Sequence, residues 1–128
     1  MDSKHLATIV QKTIFVVDDD PSMRLGVKRL LNKHGFKTEL FDSVEDFHER
    51  ADVGRADCLV LDIKLKNKSG IDLRRELANS GVSVPVIFIT ADDTDYTRKA
   101  AADAGCAAYL TKPFLGKTFI DAIEKAAA

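Results

Sequence analysis

Five short runs of strand-like residues, each stopping at a polar residue, constrain this chain more than any other feature. They are Thr13–Val17 (TIFVV), Phe36–Phe41, Cys58–Leu61 (CLVL), Pro85–Ile89 (PVIFI) and Cys106–Leu110. Short continuous apolar runs rich in β-branched and aromatic residues suit strands covered on both faces. Helical spacing fills the gaps between them. Asp20 and Pro21 make a helix start, with an acidic cap and proline at the first position, and Met23, Val27, Leu30 and Leu31 follow at helical intervals up to Gly35. Ser43, with Asp46 three residues on, is close to a capping box. Ile71–Asn79, stopped near Gly81, reads as a third helix, alanine-rich Asp92–Ala104, stopped by Gly105, as a fourth, and Leu115, Phe119, Ala122 and Ile123 mark a fifth.

Strands that alternate with helices in this way predict an α/β domain, a doubly wound five-stranded parallel sheet with helices on both faces. Right-handed crossovers leave few arrangements, of which the flavodoxin-like order 2-1-3-4-5 is a common one. With 128 residues, 45% of them hydrophobic and 30% charged, the chain can support one adequate core. No internal repeat or linker divides it, so residues 1–11 are read as a tail and 12–128 as the domain.

A net charge of −1 gives no electrostatic basis for direct binding to nucleic acid or to an anionic membrane. No apolar run approaches the roughly 18 residues of a membrane span, and the start lacks the design of a secretory signal. Cys58 and Cys106 show no metal-ligand spacing and are expected to be buried free thiols, in keeping with a reducing, cytoplasmic setting.

The polar residues that end the strands carry the functional signal. Asp18 and Asp19 follow the first strand, Asp62 the third, Thr90 the fourth and Lys112 the fifth. Ligands of open parallel sheets bind at the carboxyl ends of the strands, where the strand order reverses. In the order 2-1-3-4-5 the first and third strands are neighbours there, so three carboxylates, a hydroxyl and an ammonium converge. Three clustered carboxylates with one lysine remain net negative and call for a cation, and an all-oxygen donor set favours Mg2+ or Mn2+ over zinc. A carboxylate can attack a phosphoryl group to give an acyl phosphate. Asp62, alone at the end of a buried strand, is the expected acceptor, and the adjacent Asp18 and Asp19 form a metal-holding pair. Taken singly these residues mean little: Asp20 caps a helix, Thr90 suits a turn, Lys112 suits a solvated surface, and Lys64, Lys66 and Lys68 suit a solvated loop. Their joint placement carries the reading.

VVDDDPSMR, LVLDIKLKNKSG, VIFITADD and AAYLTKPF, in this order, resemble the four signatures of bacterial two-component response-regulator receiver domains, and the resemblance runs from about Thr13 to Ala126. It looks nearer to the nitrogen-fixation-type regulators, whose receivers carry a separate helix-turn-helix domain; no such domain is present in these 128 residues. The resemblance implies Asp62 as phosphoacceptor, Asp19 as a direct Mg2+ ligand, Asp18 as its partner acting through water, and the Lys64 backbone carbonyl as the third protein ligand. Thr90 corresponds to the switch hydroxyl, Lys112 to the lysine that contacts the phosphoryl group, Tyr109 to the aromatic switch position, and Lys112-Pro113 to a bond typically cis in the family. It further implies a sensor histidine kinase or phosphotransfer protein as donor. A downstream output protein or domain, or a phosphorylation-dependent homodimer, would form on the face from Asp92 to Phe119. Lys66 stands where the family often has proline, and Cys106-Ala107-Ala108 lacks the acidic residues of one charged dimer mode. Lys64 and Asp92, each two residues beyond a site residue, are expected to pair across the phosphoryl site and slow its hydrolysis.

Three other readings compete. Asp18-x-Asp20 resembles the nucleophile motif of haloacid-dehalogenase phosphatases, but the acidic motif needed after the lysine is missing. A pseudo-receiver, an interaction module without phosphorylation, usually lacks one of the five site residues. A flavodoxin-like cofactor binder would need a glycine- or hydroxyl-rich phosphate loop after the first strand.

Overall fold

The computed structural model describes residues 11–128, so the expected tail lies, but for Gln11, outside the described residues. Strands β1 (Thr13–Val17), β2 (Lys37–Phe41), β3 (Cys58–Asp62), β4 (Val86–Thr90) and β5 (Ala108–Thr111) form one parallel sheet in the order β2-β1-β3-β4-β5. Helices α1 (Pro21–Lys33), α2 (Val44–Arg50), α3 (Gly70–Asn79), α4 (Asp95–Ala104) and α5 (Gly116–Ala126) connect the strands or close the chain. A single 3-10 turn, Val53–Arg55, precedes β3. The fold is the flavodoxin-like one predicted.

The period of two along each strand explains why both faces are dry. In β1, Ile14 and Val16 join a cluster with Val27 and Leu31 of α1 and Phe119 and Ile123 of α5. Phe15 and Val17 point the other way, into a cluster with Phe47 of α2, Leu73 and Leu77 of α3 and Ala101 of α4. Two helices therefore cover one face and three the other. Complete burial of a side chain such as Leu59 or Phe88 contributes about 2–3 kcal/mol. The central strands β1, β3 and β4 are thus rigid mounts for whatever stands at their ends.

Two helix starts are capped as expected, and the structure adds a third cap, Ser69. Asp20 accepts from Ser22 N, Ser43 from Asp46 N and Ser69 from Asp72 N. The fourth helix differs: it begins at Asp95, not Asp92, because Thr94 is the residue whose side chain accepts from Thr97 N. Asp92 and Asp93 remain in the β4–α4 loop. The fifth strand starts at Ala108 rather than Cys106, in register with Ile87. Cys58 is a buried free thiol as expected, whereas Cys106, left outside the strand, is only partly buried. The Lys112-Pro113 bond is cis, also as expected.

Candidate phosphoacceptor site

Parallel pairing delivers the strand-end residues to one edge of the sheet. Val17 pairs with Leu61, so Asp18 and Asp62 are the next residues on adjacent strands. Asp62 pairs with Ile89 and Thr90 with Thr111, which brings Thr90 and Lys112 alongside. The backbone N–H of Lys112 donates to the Thr90 carbonyl at 2.7 Å, tying the last two strand ends together.

One ammonium joins the first, third and fifth strands. Lys112 Nζ lies 3.0 Å from Asp18 Oδ2 and 3.0 Å from Asp62 Oδ2. Asp18 is fully buried, Asp62 is 5% exposed and Thr90 is fully buried, so these are interior polar groups rather than surface charges. The other oxygens are also held. Asp18 Oδ1 accepts from Asp20 N at 2.9 Å, and Asp62 Oδ1 accepts from Lys64 N at 3.1 Å. Thr90 Oγ1 accepts from Asp92 N at 3.0 Å, leaving its own O–H to donate elsewhere. Burial pushes the Asp62 carboxyl up to about 6; the Lys112 hydrogen bond opposes this and the Asp18 charge adds to it. Burial works against the Lys112 ammonium, but its bonds to Asp18 and Asp62 outweigh that and hold it above the ordinary lysine value.

Asp18, Asp19 and Asp62 each offer an oxygen within 4.8 Å of the others. Two unit charges at that separation repel by about 3.5 kcal/mol at an effective dielectric near 20. One lysine cannot neutralise three carboxylates. The donor chemistry, all hard oxygen and partly enclosed, fits a small divalent cation such as Mg2+. Asp20, by contrast, is outside this cluster and spends its carboxylate on the cap of α1. Asp20 thus takes the helix-capping part expected of it, which leaves no observation in favour of the phosphatase reading.

Around this centre stand Arg24 and Gly70, which sequence patterns did not single out, together with residues that they did. Arg24 Nη1 donates to the Asp18 carbonyl at 2.7 Å, bracing β1 from α1. Gly70 packs its backbone against Asp62: a Cβ there would lie 2.4 Å from the Asp62 carbonyl oxygen. A glycine that opens a helix without a turn to make was the available signal. Tyr109, at the expected switch position, donates its hydroxyl to Asp93 Oδ1 at 2.9 Å, while the Arg98 guanidinium lies 5.4 Å from the ring centroid. Burial, reinforced by the Asp93 hydrogen bond, pushes the Tyr109 phenol up to about 12. Lys64 and Asp92 do pair, Nζ to Oδ2 at 3.2 Å.

Comparison with known proteins agrees with this geometry. The family described as the response regulator receiver domain matches residues 14–124. The transcriptional regulatory protein TdiR of Thauera aromatica is 34% identical over 91% of this chain and 51% of its own length. Nodulation protein W of Bradyrhizobium diazoefficiens is 32% identical over 95% of this chain and 54% of its own. The chain therefore spans about half the length of these two relatives. Among solved structures, FixJ-N superposes with a TM-score of 0.84 at 31% identity, covering 93% of this chain and 95% of that one. The response regulator StyR gives 0.84 at 38% identity, covering 92% and 60%. With the fold, the strand-end cluster and the family match in agreement, the chain belongs to the receiver domains of two-component response regulators.

Proposed function

We propose that this receiver is a phosphoacceptor switch whose acceptor is Asp62. The observation that carries the reading is the buried Asp18–Lys112–Asp62 bridge, with Asp19 and Thr90 at the same edge. A carboxylate oxygen of Asp62 attacks phosphorus, the bond from phosphorus to the donor breaks, and the donor leaves with that electron pair. With a phosphohistidine donor the bond broken is P–N and the leaving group is the imidazole, which fits a sensor histidine kinase or a phosphotransfer protein as partner. The Lys112 ammonium, already between two carboxylates, turns toward the incoming phosphoryl oxygens, and the Thr90 hydroxyl donates to another. Asp18, Asp19, Asp62 and the backbone carbonyl of Lys64 would hold Mg2+ (or Mn2+). When bound, that ion supplies the charge neutralisation that lets an anionic phosphoryl group approach an acidic pocket.

The acyl phosphate is also the signal. A dianion drawing Thr90 toward it opens space for Tyr109, whose hydroxyl is now held by Asp93, itself paired with Arg98. The face from Asp92 to Phe119 then changes, and it carries the exposed Tyr96 and Leu115. An output protein or domain, or a second copy of this chain, is the partner proposed for it. Among the described residues no helix is long and apolar enough to cross a membrane. A cytoplasmic setting, no direct contact with nucleic acid and no membrane contact complete the reading.

Two measurements follow. Incubation with acetyl phosphate and Mg2+ is expected to add one phosphoryl group, read by intact mass, and Asp62→Asn is expected to add none; an unmodified parent would count against the whole reading. The Lys64–Asp92 pair, both ends largely exposed, lies beside the acceptor and impedes an attacking water. Lys64→Ala is expected to shorten the acyl-phosphate half-life by about 3- to 10-fold, the scale of one weak polar contact. Equal half-lives in a phosphate-release assay would contradict the pair's role.

A further inference from the structure

The loop between β3 and α3, residues 63–69, touches Asp62 at both of its ends. Lys64 N donates to the Asp62 carboxylate near its start, and at its end Gly70 N donates to the Ile63 carbonyl while Gly70 packs against the Asp62 carbonyl. Within it stand three lysines and no proline, so its backbone has no ring to stiffen it. Side chains do that instead. Leu65 packs on the core, Ser69 caps α3, and Asn67 Nδ2 donates to Glu45 Oε2 of α2 at 3.3 Å. Lys68 Nζ is paired to Glu76 Oε2 of α3, and His48 Nε2 of α2 lies 2.9 Å from Glu76 Oε1. Glu76 is thus a carboxylate on which the loop, α2 and α3 meet. The Lys68 hydrogen bond holds it below the usual carboxylate range.

We infer that Glu76, gripping Lys68 and His48 together, is a positioning residue that fixes the β3–α3 loop against Asp62 and thereby sets divalent-cation binding. The inference rests on the phosphoacceptor reading, in which the Lys64 backbone is one of the groups that hold the ion. Glu76 itself touches neither the ion nor the phosphoryl group. Its effect passes through Lys68 to the loop backbone at Lys64, four residues back.

Glu76→Gln keeps the shape and removes the charge that holds Lys68; Lys68→Met removes the other partner; Lys68→Arg keeps the pair. In the metal-free protein, amide hydrogen exchange at Lys64 and its loop neighbours is expected to quicken in Glu76→Gln and Lys68→Met and to match the parent in Lys68→Arg. Mn2+ binding, followed by the loss of the free-ion paramagnetic resonance signal, is expected to weaken by about 3- to 10-fold in the first two variants, less than for a buried support because the pair is partly exposed. Parental Mn2+ affinity in both Glu76→Gln and Lys68→Met overturns the inference alone, even if their unfolding midpoints fall. A parent protein that binds no Mn2+ overturns the inference together with the reading beneath it.

Discussion

Gly70→Ala is expected to destabilise the domain by about 2 kcal/mol, although alanine is the better helix former. The residue opens α3, and its φ is not among the positive ones, so no turn demands glycine there. The demand is spatial. A methyl group would meet the Asp62 carbonyl oxygen at 2.4 Å, its carbon at 3.1 Å and Leu61 Cβ at 3.3 Å. The two nearest are backbone atoms of a buried strand, so the clash is relieved only by moving β3 or α3. Gly26, on the exposed side of α1, is the matched control: a Cβ there meets nothing within 4 Å. Gly26→Ala should therefore stabilise by about 0.5–1 kcal/mol. Urea midpoints of the two variants should move in opposite directions from the parent. Two shifts of the same sign would show that the close approach of α3 to Asp62 is wrong.

Removing the bridging ammonium has the second large effect. Lys112→Met keeps most of the stem and leaves Asp18 and Asp62 facing each other without a cation. Breaking a buried pair by deleting one partner costs about 3–5 kcal/mol. Here the lysine side chain is 15% exposed and water reaches it, so about 2–3 kcal/mol is expected in metal-free buffer. Adding Mg2+ should recover part of the loss, since the ion replaces the missing charge. Asp62→Asn in the Lys112→Met background should recover another part, giving a coupling of about 1 kcal/mol or more in a double-mutant cycle. Additive losses in denaturant titrations would mean that the two groups do not share one charge balance.

Much of this arrangement is legible in the sequence, for a physical reason. Strand runs, helix periodicity and caps such as Asp20 and Ser43 are local, and parallel connectivity then forces the ends of β1, β3, β4 and β5 to one edge. Asp18, Asp62, Thr90 and Lys112 could be gathered in that way because each stands at or next to the end of its strand. The start of α4 was not legible. Asp92 and Thr94 both suit a cap, and the choice was made by Thr90, whose hydroxyl takes the Asp92 amide. The support of the β3–α3 loop was hidden for a different reason. Glu45 and Asn67 are 22 residues apart, and His48 meets Glu76 across two helices, pairings that no periodicity announces. Gly70 was hidden in the same way, because its role is defined by the atoms of Asp62 and not by its own turn.

On the proposed reading, four strand ends build one pocket that holds an acyl phosphate on Asp62. A crystal structure of the protein with Mg2+ and beryllofluoride tests it most directly. Beryllium is expected on an Asp62 oxygen, with Lys112 Nζ and Thr90 Oγ1 donating to its fluorines and the metal among Asp18, Asp19 and the Lys64 carbonyl. Beryllofluoride on a different carboxylate, or Lys112 turned away from it, would show that Asp62 is not the acceptor.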